Sequence, residues 1–185
     1  GEQLLTEESP RGTGFLADVC QAWEDEADRA AWFGTRVVKI RIGFVLGRDG
    51  GALEKIAPVF RLGLGGPLGS GKQWMPWVHV RDVARLFLHA AETEVSGVLN
   101  GAAPNPVTNR DFTRTLAEVL HRPAFLTVPG FALRLAAGEL GERMLDSARV
   151  VPQATEASGF RFEFPELKPA LVDLLGQELT SSGAR

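Results

Sequence analysis

No tyrosine occurs among the 185 residues, which removes one common acid/base catalyst from consideration. A single cysteine, Cys20, excludes an internal disulfide, and three scattered histidines offer no metal-ligating cluster. No run of about 18 apolar residues is present, and no charged-then-apolar leader opens the chain, so neither a spanning helix nor a secretory signal is expected. Basic residues are not in excess: Lys plus Arg number 20 against 23 Asp plus Glu, a net charge of −3. That balance argues against a protein that grips nucleic acid through its phosphates. The chain also lacks an initiating methionine and starts at Gly1, so it is read as a fragment. What is present is ordinary for a globular protein, 44% apolar and 23% charged residues. A chain of this length buries roughly 70% of its unfolded surface and needs no staples. The expectation is a soluble, cytoplasmic protein of one domain or slightly more.

Periodicity divides the chain into alternating elements. After a loop over 1–14, apolar positions Phe15, Leu16, Val19, Trp23, Ala27 and Ala30 predict a helix to Phe33 with one buried stripe. The acidic run Glu24, Asp25, Glu26 and Asp28 reads as its solvated side. RVVKIRI (36–42) predicts a strand, GFVLGRDGGAL a turn, and 52–62 a helix. A glycine loop spans 63–72, and WMPWVHV is extended because Pro76 forbids a helix interior. A helix over 82–92 places Val83, Leu86, Phe87 and Ala90 inward. A strand follows at 98–102, then a helix over 109–120 capped by Thr108, with Asp111 in its first turn. Beyond Arg122, helices are expected at 130–147 and 153–158, a strand at 160–164, and a last helix from Glu166 to Leu175 before a fraying tail. The alternation points to an α/β fold with a largely parallel sheet, although the strands before residue 122 are few.

Local motifs name no reaction. GPLGSGKQ (66–73) meets G-x-x-x-x-G-K but puts Gln73 where Ser or Thr should reach magnesium, and Trp74–Trp77 cannot supply the helix that phosphates require. It reads as a mobile glycine-rich surface loop. GLGGPLG (63–69) has one residue too many for a dinucleotide fingerprint and the wrong flanks. His79 stands just before a helix and is expected to bond its end, with Asp82 as a cap or first-turn carboxylate. Cys20 reads as a small buried hydrophobe. Trp74 and Trp77 are read as facing one side, either as a ligand platform or as a core edge.

Longer phrases carry more. LTEESP (5–10), FLADVCQAWE (15–24), VVKIRIGFVLGRDGGAL (37–53), FRLGLGGPLGSGKQWMPWVHVRDVARL (60–86), LNGAAPNPVTNRDF (99–112), HRPAFLTVP (121–129) and SGFRFEFPEL (158–167) together resemble the epimerase-family oxidoreductases. These are atypical members of the extended short-chain dehydrogenase/reductase superfamily, and the resemblance covers only their C-terminal portion. It implies the C-terminal part of a Rossmann-like NAD(P)-binding parallel-sheet fold over 1–121, a mostly helical family-specific lobe over 122–176, and a tail over 177–185. The missing N-terminal half would carry the glycine loop for the cofactor pyrophosphate. Relatives use Y-x-x-x-K, and the alignment puts Leu16 and Cys20 at those positions, where neither can do that work. Met75 stands where sugar-nucleotide enzymes of the superfamily have arginine, which disfavours a nucleotide-sugar substrate. The resemblance further implies cofactor contacts at Arg41, Ile42, Gly43 and Val45. It places substrate contacts at Trp74, Trp77 and His79, with the 63–72 loop as a lid. Two functions stay open: an NADP(H)-dependent oxidoreductase on an unidentified small molecule, with NAD as the other cofactor, or a catalytically silent cofactor-binding protein that serves a partner. Exposed edges of an incomplete sheet would invite a second copy of the chain.

Overall fold

The computed structural model describes residues 2–48, 50–129 and 145–181. Its elements in chain order are β1 (Leu4–Leu5), α1 (Phe15–Arg29, continued by a 3₁₀ turn Ala30–Phe33), β2 (Val38–Ile42), β3 (Phe44–Leu46), α2 (Gly51–Arg61), β4 (Trp74–Met75) and β5 (Trp77–His79). They continue as α3 (Val80–Glu92), β6 (Gly97–Gly101), β7 (Val107–Thr108), α4 (Asn109–Leu120), β8 (Arg149–Val150), α5 (Gln153–Ala157) and α6 (Leu167–Ser181). Strand pairing is mostly parallel: β2 with β6, β3 with β5, and β1 with β8, whereas β4 and β7 are antiparallel. The expected α/β organisation is therefore present.

One continuous extended run, β2 into β3, changes partner at Gly43. Before it, Ile42 pairs with Gly101 of β6; after it, Phe44 pairs with Trp77 of β5. The switch needs a close approach, because a Cβ at Gly43 would collide with the Pro76 carbonyl oxygen. That carbonyl accepts the Phe44 N–H at 2.6 Å. The β-branched residues of β2 pack over α3 and α5, where Leu86, Leu99 and Phe160 form a small buried cluster with Val38 and Ile40. The main core joins Leu46, Leu53, Phe60, Trp77, Phe112 and Leu116 to Leu167, Leu171 and Leu174 of α6.

Caps follow the sequence expectations closely. Thr108 Oγ1 accepts the Asp111 N–H at 3.2 Å and donates to Asp111 Oδ2 at 2.7 Å, so α4 begins where its hydroxyl predicts. His79 caps α3 through Nδ1, which accepts the Arg81 N–H at 3.1 Å.

Other expectations are corrected. The apolar stripe of α1 is not buried: Phe15 is 75%, Leu16 54% and Trp23 72% exposed, Val19 and Ala27 are half-buried, and Trp32 and Phe33 of the 3₁₀ turn are 79% and 85% exposed. Of its acidic run, Asp25, Glu26 and Asp28 are exposed as expected, while the half-buried Glu24 pairs with Arg41 and Asp28 pairs with Lys39 of β2. Phe87 likewise points to solvent, while Leu86 and Ala90 are buried. Phe44–Leu46 is a strand where a turn was expected. Residues 160–164 form no ladder, because the buried Asp82 carboxylate, rather than a neighbouring strand, accepts the Glu163 and Phe164 N–H groups. The last helix runs on to Ser181, past the expected end at Leu175. The helix expected at 130–147 lies outside the described residues as far as 144, and 145–147 are not helical; the SGAR end of the expected tail, 182–185, also lies outside them.

The 63–72 loop is packed rather than mobile. Gly65, Gly66 and Gly71 are buried, and a Cβ at Gly66 would strike the Leu126 carbonyl. Val128 N–H donates to Pro67 O, and Gly69 N–H donates to Val128 O, both at 2.9 Å. Strand β4, not a helix, follows the loop, so no phosphate-facing helix end exists there.

Candidate functional site

Parallel strands end in one crevice. Leu5 and Thr6 at the end of β1, Ile42 and Gly43 at the end of β2, Asn100 and Ala102 around the end of β6, and Val150 of β8 line a cavity of 290 Å³. Ligands of open α/β sheets bind outside the carboxyl ends of the strands, and this crevice has that position. Ser9, Cys20, Gln21, Glu24, Arg41 and Pro76 complete its polar and apolar walls.

Of the four expected cofactor residues, Arg41, Ile42 and Gly43 meet in this crevice, and Val45 does not. Val45 lines a separate cavity with His79, because beyond the partner switch at Gly43 it pairs with Val78 of β5 instead of running beside β6. Arg41 is already engaged: Nε and Nη2 donate to Glu24 Oε1 and Oε2 at 2.6 and 2.8 Å. This two-toothed pair holds the Glu24 carboxyl below its ordinary range, through the hydrogen bond first and charge attraction second, against the opposing effect of burial. The same bond raises the Arg41 guanidinium. Glu24 is therefore ionised at neutral pH and has no proton to give. Leu16 is 54% exposed, and Cys20 is exposed rather than buried. Among the described residues of the crevice, no tyrosine and lysine pair stands ready to move a proton.

The three expected substrate residues do not converge. Trp74 and Trp77 are three apart and separated by Pro76, so they fall on different ladders and face different ways. Trp77 is 1% exposed in the main core, with Nε1 donating to Asn105 O at 3.2 Å. Trp74 lines a second cavity of 400 Å³, together with Phe44, Phe60, Leu68, Met75 and Phe112. Its outer face carries the Arg149 guanidinium, 4.5 Å from the ring centroid. His79 belongs to neither space. It stacks on Phe164 at 3.9 Å, and its buried Nε2 lies 3.3 Å from Asp173 Oδ2 without hydrogen-bond alignment. Burial lowers the His79 pKa, opposed by the charges of Asp173 and Asp82.

Sequence reasoning missed Glu7. Its carboxylate accepts the Asn100 N–H at 3.0 Å, the Ala154 N–H at 3.1 Å, and both the N–H and hydroxyl of Thr155. It thereby ties the loop after β1 to β6 and to the start of α5, and it fixes the crevice floor. A lone glutamate in a turn carries no sequence signal for such a role. Thr6 and Ser9 of the same LTEESP phrase bring the crevice hydroxyls; the Thr6 N–H donates to Ser9 Oγ at 2.9 Å, and the Ser9 N–H donates to Thr6 O at 3.1 Å.

Residues 19–102 match the family described as the NAD dependent epimerase/dehydratase family. Residues 128–174 match a domain of unknown function, DUF1731. The mouse epimerase family protein SDR39U1 is 44% identical over 172 residues, covering 91% of this chain and 58% of that protein. The chloroplastic SDR39U1 homolog of Arabidopsis thaliana is 45% identical, over 91% of this chain and 48% of its own length. The chain thus spans about half the length of the curated relatives it matches. Among solved structures, human SDR39U1 (isoform 2) crystallised with NADPH superposes with a TM-score of 0.88 at 38% identity, over 95% of this chain and 60% of that one. A nucleoside-diphosphate sugar epimerase from Corynebacterium glutamicum gives 0.77 at 34% identity, over 96% of this chain and 34% of that one.

Proposed function

Because the chain belongs to the epimerase family of Rossmann-like NAD(P)-binding proteins, we propose that its crevice is the nicotinamide-side wall of an NADP(H) site in an oxidoreductase acting on a small molecule. The observation that carries this reading is the meeting of Leu5, Thr6, Ile42, Gly43 and Asn100 at the carboxyl ends of parallel strands. The residues fit the group. Leu5, Ile42 and Pro76 offer an apolar floor for a ring, Gly43 lets backbone approach closely, and the Thr6 and Ser9 hydroxyls and Arg41 offer polar contacts. The nicotinamide, when bound, supplies hydride chemistry; these side chains orient it and exclude water. A related protein bound to NADPH supports NADP over NAD as the cofactor. The exposed stripe of α1 supports a further half of the same protein as the partner that covers it, with residues 1–121 as part of the cofactor domain and 122–176 as the family-specific lobe.

A second reading, a cofactor-binding protein without turnover, draws on Leu16 and Cys20 at the tyrosine and lysine positions and on the ionised Glu24. The test is thermal unfolding of the intact-length protein with and without NADPH. Ligand at 100 times Kd adds about 2.7 kcal/mol. A rise in Tm that Arg41→Ala reduces supports the site, and no rise in the intact protein overturns it. NADPH oxidation across a panel of carbonyl compounds then separates the two readings: turnover supports the oxidoreductase, and its absence alongside tight NADPH binding supports the silent protein.

A further inference from the structure

The second cavity adjoins the crevice through Pro76, which lines both. On the strand beside it the division is just as sharp: Ile42 and Gly43 face the crevice, and Phe44 faces the cavity. The cavity encloses 400 Å³, within the range of about 300–1,000 Å³ typical of small-molecule sites. Phe44, Ile56, Phe60, Leu68, Trp74, Met75, Pro76 and Phe112 make its wall, and no lysine, arginine or histidine is among its described lining residues. Phe44 and Phe112 meet edge to face at 6.2 Å, a fixed aromatic corner. The one carboxylate among the described lining residues, Asp146, is on an exposed residue.

Two polar residues of this wall are buried, Asn109 and Thr113, and the amide of Asn109 is incompletely served. Asn109 is 4% exposed, and its Oδ1 accepts the Leu68 N–H at 2.8 Å. That donor fixes the amide orientation, because only the oxygen can accept from it. Asn109 Nδ2 therefore faces the Met75 sulfur at 3.3 Å, a weak acceptor that leaves room for a better one.

We propose that this cavity is the substrate pocket and that it takes an uncharged, ring-bearing carbonyl or hydroxyl compound, its ring held by Trp74, Phe112 and Met75 and its oxygen accepting from Asn109 Nδ2. The substrate role rests on the cofactor reading of the neighbouring crevice. Among the described lining residues no cation stands ready to meet a diphosphate, so a nucleoside-diphosphate sugar is not the expected ligand.

Acetophenone is the probe, and UDP-glucose and 4-acetylbenzoate are the comparisons, in ligand-observed NMR titrations of the intact-length protein. Acetophenone is expected to bind at least tenfold more tightly than 4-acetylbenzoate, and UDP-glucose is expected not to compete. Ile56→Trp, which fills the cavity from the half-buried face of α2, should weaken acetophenone at least tenfold while leaving the NADPH-induced rise in Tm intact. Leu68→Trp fills it from the opposite wall and serves if the first variant fails to fold. Acetophenone binding that both variants leave unchanged, or competition by UDP-glucose, overturns the assignment. NADPH binding is read in the same samples. NADPH bound without acetophenone overturns the pocket alone. Acetophenone bound without any NADPH response overturns the cofactor reading, and with it the substrate role.

Discussion

Removing the carboxylate of Asp82 tests what holds the 160–166 segment to the sheet. Asp82 is 1% exposed at the start of α3, and it accepts the Glu163 N–H at 2.8 Å and the Phe164 N–H at 2.9 Å. Arg85 reaches the same carboxylate at 3.0 Å but is 43% exposed, so its share is small. Asp82→Ala leaves two backbone donors without a partner in a closed space. Hydrogen bonds to charged groups are worth about 1.5–3 kcal/mol each, so two predict a loss of about 3–6 kcal/mol. Urea unfolding of the intact-length protein measures that loss, and hydrogen exchange locates it: the Glu163 and Phe164 amides should lose protection before those of β2 and β6. Asp82→Asn should recover only part, since its NH₂ group confronts one of the two donors. A loss under about 1 kcal/mol, or unchanged exchange at residues 163 and 164, would refute the claim that this carboxylate replaces a strand neighbour.

Two further outcomes are expected. Burial lowers the His79 pKa below the ordinary 6.5, so the unfolded chain binds that proton more readily than the folded one. Its contribution is therefore intact above about pH 6.5 and declines as the pH falls below it. Unfolding free energy should drop from pH 7 to 5.5, and His79→Gln should flatten that slope; parallel profiles would show that His79 does not set it. Gly43→Ala places a methyl group against the Pro76 carbonyl and pushes the β2–β3 run away from the segment joining β4 to β5, a clash worth about 1–3 kcal/mol. The variant should also shrink the NADPH-induced rise in Tm, and wild-type stability and binding would contradict the role given to this close approach.

Much of the framework is written in local sequence. The β-branched run at 38–42, the Thr108–Asp111 cap, the His79 helix start and the failure of GPLGSGKQ to open a helix all follow from neighbours within a few residues. So does family membership, which the LTEESP and WMPWVHVRD phrases already suggest. Arg41, Ile42 and Gly43 reach one crevice because they end a single strand, and strand ends are visible in sequence.

What sequence could not decide is which side of an element finds a partner. The stripe of α1 predicts burial, yet a stripe states only that a face is apolar; here its large members Phe15, Leu16 and Trp23 stay exposed, while Glu24 and Asp28 of the same helix find Arg41 and Lys39. Trp74 and Trp77 part company because Pro76 ends one ladder and begins another, a pairing made with strands more than twenty residues away in each direction. Glu7 becomes a staple only once Asn100 and Thr155 are folded onto it. Composition and spacing settle the kinds of element and their ends, because those depend on local backbone energetics. The two adjoining cavities, and the contacts of Glu7 and Asp82 with backbone far along the chain, depend on distant groups meeting in space, and only the tertiary structure decides that.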